Sequence, residues 1–230
     1  MIAAEDGQAL ALSLRVAVTS LALTLPPAIA LGYLLSRRRF PGKALIEASL
    51  NLPLVVPPVA TGYALLVLFG TRGALGARLA EFGTVFAFRW SGAALAAAVM
   101  SFPLVAIAAR SAFDGVDRRL AQAAATLGAG PWRRFLTIDL PLAAPGLAAG
   151  AVLGFARAFG EFGATIGFVG NVPGETRTLP IAIWERLNTP GGEAALGGLV
   201  AVSLAVALAA SLLAAGLRRR TRATADDTHA

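Results

Sequence analysis

Long apolar blocks alternate with shorter polar segments along this chain of 230 residues. About 20 consecutive apolar residues are enough for a helix to cross the hydrocarbon core of a bilayer. Five blocks of roughly this length or longer cover residues 9–35, 46–70, 91–109, 142–170 and 194–217. The pattern predicts an all-α polytopic membrane protein with about five transmembrane helices. We expect residues 1–230 to form a single transmembrane domain with its core at about residues 10–217.

Prolines indicate where the apolar blocks bend or end. The second block contains Pro53, Pro57 and Pro58. A proline inside a membrane helix leaves a backbone carbonyl without its usual donor, which neighbouring helices or water must then replace. We therefore expect this block to form a kinked helix inside a bundle. Residues 171–193 contain three more prolines and are predicted to form a polar loop.

The composition fits a membrane protein and excludes several kinds of chemistry. Hydrophobic residues make up 57% of the chain and charged residues 14%, whereas soluble domains carry roughly 25% charged residues. The chain has no cysteine, which excludes a disulfide framework, a thiol nucleophile and a cysteine-ligated metal. Its single histidine, His229, lies in the polar C-terminal tail. We therefore expect no catalytic residue and no metal site, because an intramembrane enzyme would need a Ser–His or carboxylate pair in the spans.

The distribution of basic residues predicts the orientation of the chain. The net charge is +7, but the basic residues lie at the ends of apolar blocks rather than on one nucleic-acid-binding face. If the N-terminus is outside, thirteen basic residues fall on the inner side and five on the outer side. Because loops rich in Lys and Arg remain in the cytoplasm, we expect an external N-terminus and a cytoplasmic C-terminus. Glu5 and Asp6 precede the first block, which lacks the basic start and short core of a signal peptide.

The polar segment at residues 110–141 is predicted to form two short cytoplasmic helices. Residues 117–127 have the composition of the first helix, and Gly128 and Gly130 are expected to end it. Pro131 suits the first turn of a second helix, and Pro141 is expected to open the next span. Two helices joined by a glycine turn are either an ordinary connector or a surface that enters a groove in a partner.

The spacing within this segment resembles the signature of the membrane subunits of bacterial ABC importers. That signature is Glu-Ala-Ala, three residues, Gly, nine residues and Ile-x-Leu-Pro. Here it reads Gln122-Ala123-Ala124, Gly128 and Ile138-Asp139-Leu140-Pro141, with glutamine in place of the usual glutamate. The resemblance implies a coupling loop that docks on an ATPase subunit. Its expected contact residues are Gln122, Ala123, Ala124, Leu127, Gly128, Trp132, Ile138, Leu140 and Pro141.

The rest of the chain is similar to the sulfate, molybdate and tungstate permeases, and most of all to molybdate permeases. Residues 39–43, 52–58, 160–166, 170–171 and 178–183 carry this similarity. It implies the type I ABC importer permease fold in a bacterial cytoplasmic (inner) membrane, surrounded by membrane lipid, and a pore formed by two permease copies as a homodimer. It also implies two ATP-binding cassette subunits that use the ATP, and a periplasmic or extracellular molybdate-binding protein, with no cofactor on this chain. Sulfate or tungstate as cargo remains an alternative, as does a secondary transporter or channel.

Two ionisable residues fall inside the fourth block. Arg157 and Glu161 are four residues apart, so a continuous helix would place them on one face. They form either an internal ion pair that maintains structure or part of the translocation path. Thr165, Asn51 and Thr61 are further candidates for the path. The same block has glycines that permit close helix packing, within one subunit or between two copies: Gly150, Gly154, Gly160, Gly163 and Gly167.

Overall fold

The computed structural model of the chain describes residues 4–192 and 196–226, with side chains as far as residue 217. These residues form helices and connections, with no strand among them. The helices are α1 (Ala4–Arg37), α2 (Lys43–Val55), α3 (Pro58–Phe69), α4 (Gly76–Glu81), α5 (Trp90–Asp114), α6 (Arg118–Thr126), α7 (Pro131–Arg134), α8 (Leu140–Phe159), α9 (Gly163–Val169), α10 (Leu179–Leu187) and α11 (Leu196–Asp226). His229 lies outside the described residues.

The described helices confirm an all-α architecture with four to five candidate membrane spans. Four segments are long and apolar enough to cross a bilayer: Glu5–Arg37, Trp90–Asp114, Pro131–Phe159 and Leu196–Leu217. The pair α2 and α3 supplies a fifth span if it is counted as one broken helix. The predicted number of about five spans agrees with this count.

The predicted kink in the second block is a bend of 107° between α2 and α3. Val56, at the bend, is extended with φ −68° and ψ 136°. A residue before proline is disfavoured in the helical region because the proline ring clashes with its backbone. Pro58 then occupies the first turn of α3, where a missing N–H costs little. Consecutive prolines therefore divide the block into two helices.

The centre of the fold is α5, which packs against α1, α8 and α9. Its alanines Ala93, Ala94, Ala96 and Ala97 are at most 1% exposed. Small residues let the neighbouring backbones approach closely, which favours dispersion contacts where lipid offers no hydrophobic driving force.

The glycines of the fourth block pack against helices of the same chain. A Cβ added to Gly150 would lie 2.7 Å from the Cβ of Ala108 on α5, and one added to Gly163 would lie 2.6 Å from the Cβ of Pro58 on α3. Of the two alternatives for these glycines, the structure thus supports packing within one subunit. A Cβ added to Gly160 would meet only the carbonyl oxygen of Ala156 on α8, over 3.6 Å.

The prediction of a single continuous span over residues 142–170 was wrong. The helix begins earlier, at Pro131, and ends at Phe159; a separate helix, α9, follows from Gly163. Glu161 lies in the break, where its carboxylate accepts a hydrogen bond from the backbone N–H of Ala164 over 2.8 Å. A carboxylate at a helix N-terminus satisfies an otherwise unpaired donor and interacts favourably with the helix dipole. The break therefore has a local cause that hydrophobicity alone does not reveal.

The predicted polar loop at residues 171–193 contains a helix, α10, that sequence reasoning missed. Leu179, Ile181 and Ala182 on this helix are buried, and the N–H of Leu179 donates to the Oγ of Ser13 on α1 over 2.6 Å. Nine residues are too few for a span, so a pattern search tuned to long apolar runs passes over this helix.

Candidate functional site

The first arm of the polar connection between α5 and α8 folds as predicted. The helix α6 begins after Asp117, whose Oδ1 accepts a hydrogen bond from the N–H of Arg119 over 2.9 Å. It ends at Thr126; Leu127 caps it, and Gly128 follows with φ +84°. Glycine adopts this left-handed conformation without the steric cost that a Cβ imposes. Gly130, by contrast, has φ −65° and is not left-handed.

The second arm is the end of a long helix rather than an isolated short one. Pro131 begins α7, which passes through a π-helical turn at Phe135–Asp139 directly into α8. Pro141 has no N–H to donate to the carbonyl four residues earlier, and a wider turn accommodates this missing bond. The segment Pro131–Phe159 is thus one helical rod of 29 residues.

A buried aspartate anchors the rod to the end of α1. The side chain of Asp139 is 2% exposed, and its Oδ1 accepts a hydrogen bond from Nη2 of Arg37 over 2.6 Å. Its other carboxylate oxygen accepts from the hydroxyl of Tyr33 over 3.2 Å. Arg37 also donates to the carbonyl of Val116, just before α6. One ion pair therefore links the first helix, the start of the polar connection and the π-helical turn.

Sequence reasoning did not predict the ion pair of Arg37 and Asp139. Asp139 occupies the variable position of Ile-x-Leu-Pro, and Arg37 served only to predict the orientation. The available signal was a single acidic residue within an apolar stretch close to the beginning of a span, since such a residue requires a partner.

Further polar and aromatic contacts join the connection to α1. Nη2 of Arg118 donates to the carbonyl of Ser36 over 2.6 Å. The ring centroids of Tyr33 and Phe135 are 4.8 Å apart, and those of Trp132 and Phe135 are 5.5 Å apart. These contacts hold the two arms in a defined position against α1.

Other positions in the connection expose large apolar side chains to the surroundings. Leu127 is 87% exposed and Trp132 is 71% exposed. The other predicted contact residues are exposed at Gln122, Ala123, Gly128 and Pro141, and half-buried at Ala124, Ile138 and Leu140. Exposed apolar residues rimmed by polar ones are typical of protein interaction surfaces. We call Leu127, Gly128 and Trp132 the exposed corner.

Arg157 and Glu161 form an ion pair, but not on one helix face. Nη1 of Arg157 lies 2.5 Å from Oε2 of Glu161, although α8 ends at Phe159, between them. The side chain of Glu161 is 2% exposed and that of Arg157 is 32% exposed. Because Glu161 also holds the first turn of α9, this geometry supports a structural role for the pair. Its role in the translocation path remains a prediction.

The three polar candidates for the path lie in different environments. Asn51 is exposed and its side chain donates to the carbonyl of Glu47 over 3.0 Å. Thr165 is buried, and its hydroxyl has no hydrogen-bond partner among the described residues. Thr61 is half-buried on α3, the helix against which α9 packs. Among the described residues, no hydrogen bond joins these three side chains to Glu161. Nor does the described part contain a cluster of three His, Asp or Glu side chains that could hold a metal.

Residues 28–223 match the family of binding-protein-dependent transport system inner membrane components. The chain belongs to this family. Its matched region contains the polar connection, the broken fourth block and α10. The chain is therefore a multi-pass membrane component of a transport system.

Several named transport permeases are similar to this permease over most of their length. The molybdenum transport system permease protein ModB of Escherichia coli K12 is 54% identical over 218 residues, covering 94% of this chain and 95% of that protein. ModB of Haemophilus influenzae is 49% identical over 92% of this chain and 93% of that protein. The sulfate transport system permease protein CysT of E. coli K12 is 34% identical over 83% of this chain and 70% of that protein.

Solved structures confirm the ABC importer permease fold. A bacterial ABC transporter involved in alginate import superposes with a TM-score of 0.70 at 18% identity, covering 96% of this permease and 80% of that chain. The MetNI methionine ABC transporter superposes with a TM-score of 0.64 at 18% identity, covering 94% and 93%.

Proposed function

We propose that this permease is the pore-forming subunit of an ATP-driven importer that carries molybdate across a bacterial cytoplasmic (inner) membrane. The observation that carries the proposal is the 54% identity, over 94% of the chain, to a protein named as a molybdenum permease. The sulfate permease relative is 34% identical, which favours molybdate over sulfate as the cargo. Tungstate is a closely similar oxyanion and is an alternative cargo.

The proposed complex contains two copies of the permease, two ATP-binding cassette subunits and a molybdate-binding protein on the outer side. The N-terminus lies outside, and the polar connection lies in the cytoplasm. The exposed corner enters a groove of the ATPase subunit, where Leu127 and Trp132 supply apolar contact area. Gln122, Ala123 and Ala124 border the corner, and their short or uncharged side chains allow a partner's backbone to approach closely. ATP hydrolysis belongs to the partner subunit, and this chain is not itself an enzyme.

The arrangement of the corner supports a mechanism of force transmission. The ATPase subunits move the corner when they close on ATP. Because the helix Pro131–Phe159 starts at the corner, it moves as a rod against α5. The ion pair of Arg37 and Asp139 carries the same displacement to α1. Relative movement of these packed helices opens the pore alternately to either side.

An uptake assay tests the proposed cargo. Cells that lack their own molybdate permease receive this permease together with its ATPase and binding-protein partners. We expect uptake of labelled molybdate that unlabelled molybdate suppresses at lower concentration than sulfate does. Stronger suppression by sulfate would reassign the cargo. Uptake that persists when the ATPase subunit cannot hydrolyse ATP would instead indicate a secondary transporter or channel.

A further inference from the structure

A cavity rich in arginine lies between the end of α1, α6 and the start of α7. Its volume is about 360 Å³, and four arginines line it together with one acidic residue, Asp139. The four are Arg37, Arg38, Arg118 and Arg134. The lining therefore carries a net charge of +3. A cavity with this excess of positive charge attracts an anion.

The hydrogen bonds of the cavity are incomplete in a way that also points to an anion. Nε of Arg37 and Nε of Arg134 are buried without a hydrogen-bond partner among the described residues. Both oxygens of Asp139 already accept bonds, from Arg37 and Tyr33. A buried guanidinium N–H without an acceptor costs free energy. An additional acceptor with several oxygens, such as a phosphate group, would remove this cost for more than one arginine at once.

A second, apolar cleft opens beside this cavity. Its volume is about 720 Å³. The two spaces share Tyr33, Arg37, Arg38 and Pro131 in their linings. Beyond these residues, the cleft is lined by apolar side chains of α1 and of the Pro131–Phe159 rod, among them Pro26, Ile29, Leu34, Trp132, Phe135 and Leu140. A cationic cavity thus continues into an apolar channel along a membrane helix.

We propose that an anionic phospholipid occupies this combined site. Its phosphate lies among the four arginines that line the cavity, within reach of the unpartnered Nε atoms of Arg37 and Arg134, and one of its acyl chains lies in the cleft between α1 and α7. A free phosphate or molybdate ion would fill the cavity but leave the apolar cleft empty. A zwitterionic lipid would fill the cleft but bring less net negative charge to the arginines. Charge and apolar surface together therefore select a negatively charged amphiphile.

A lipid in this position would connect transport to the composition of the membrane. It would contact the end of α1 and the exposed corner simultaneously, since Arg38 directly follows α1 and Trp132 belongs to the corner. It would thereby stabilise the arrangement that the Arg37–Asp139 ion pair also holds. This inference requires only that the permease lies in a membrane, and it does not depend on molybdate being the cargo.

Adjacent arginines provide a matched test of the headgroup contact. Arg38 and Arg39 are both exposed, but only Arg38 lines the two spaces. The full-length permease is purified in detergent and incubated with dioleoylphosphatidylglycerol or dioleoylphosphatidylcholine, and retained lipid is counted by native mass spectrometry. We expect preferential retention of phosphatidylglycerol, reduced about fivefold by Arg38→Gln and unchanged by Arg39→Gln. Equal retention of both lipids, or equal losses in both variants, would overturn the proposal.

Substitutions on α1 test the acyl chain in the same assay. Ala30 is exposed and lines the cleft, whereas Ala22 is exposed on α1 outside it. Ala30→Phe should reduce the retention of phosphatidylglycerol because the ring occupies the channel, and Ala22→Phe should not. Full retention by Ala30→Phe would contradict an acyl chain in this cleft.

Inorganic phosphate distinguishes a lipid from a free anion. Delipidated permease is heated with inorganic phosphate or with phosphatidylglycerol, and the temperature of unfolding is recorded. We expect phosphatidylglycerol to raise it and phosphate to leave it nearly unchanged. A rise with phosphate that matches the lipid, and that Arg38→Gln abolishes, would show a small-anion site and overturn the proposed lipid.

Discussion

Arg37, in the last turn of α1, donates a hydrogen bond over 2.6 Å to the buried carboxylate of Asp139, in the π-helical turn before α8. The arginine side chain is 11% exposed and the aspartate side chain 2%. The two residues are separated by 102 positions in the chain. A buried ion pair is weak evidence for net stability. Removing one of its two residues, however, leaves the other as an uncompensated buried charge. The pair therefore fixes the position of the polar connection more than it adds to the total free energy of folding.

Asp139→Asn is expected to destabilise the permease by about 3 kcal/mol because Arg37 then remains buried without its counter-charge. The purified permease is heated, and size-exclusion chromatography then measures the fraction that remains folded. Arg37→Gln should have a similar effect. The double variant Arg37→Gln with Asp139→Asn should lose less than the sum of the two single losses, because neither charge is then left alone. Additive losses would contradict a direct coupling between the two side chains.

The sequence predicted those parts of the structure that depend on neighbouring residues. The helix predicted over residues 117–127 agrees with α6, and Gly128 follows its end as predicted because a left-handed glycine acts within one turn. The bend before Pro58 is equally local, since a proline restricts the residue that precedes it. Apolar length likewise indicated the number of spans, because the bilayer sets a minimum for each of them.

The remaining features depend on residues that are distant in sequence. Asp139 is paired with Arg37 across 102 positions, and the beginning of α10 is held by Ser13 across 166 positions. No periodicity within one segment contains this information. The break at Glu161 was missed for a different reason, since Gly160 and Phe162 maintain the apolar character of the block while the carboxylate begins a new helix.

Two glycines in the polar connection allow a prediction with an internal control. In both, an added Cβ would meet no atom within 4 Å, but Gly128 has φ +84° and Gly130 has φ −65°. Gly128→Ala should cost about 1–2 kcal/mol, because an alanine is strained in the left-handed region. Gly130→Ala should be tolerated. Co-purification of the ATPase subunit should decrease for the first variant only, and equal recovery with both variants would exclude a role for the left-handed turn.

Trp132 is expected to provide much of the contact with the ATPase subunit. Its side chain is 71% exposed, and aromatic anchors in protein interfaces often contribute about 2 kcal/mol or more. Trp132→Ala should therefore weaken binding of the ATPase by about thirtyfold while most of the bundle remains intact. Phe82, which is 84% exposed after α4, provides the control, and Phe82→Ala should bind the ATPase normally. The measurement is the affinity of the detergent-purified permease for the ATPase subunit; no change with Trp132→Ala would remove the exposed corner from the interface.

Glu161→Gln distinguishes the two roles of the buried pair in the fourth block. Glutamine can still accept the hydrogen bond from the N–H of Ala164, so α9 should keep its first turn. The charge that balances Arg157 is lost, however, and an arginine that is 32% exposed becomes an unneutralised cation near the proposed path. A doubly charged oxyanion would bind there and be released slowly. We expect the Glu161→Gln complex to assemble and its molybdate uptake to fall about tenfold or more. Uptake by Arg157→Gln is measured in parallel. The double variant should regain uptake because Arg157→Gln removes the excess positive charge. If uptake by Glu161→Gln equals that of the unchanged permease, the pair serves only to join α8 to α9.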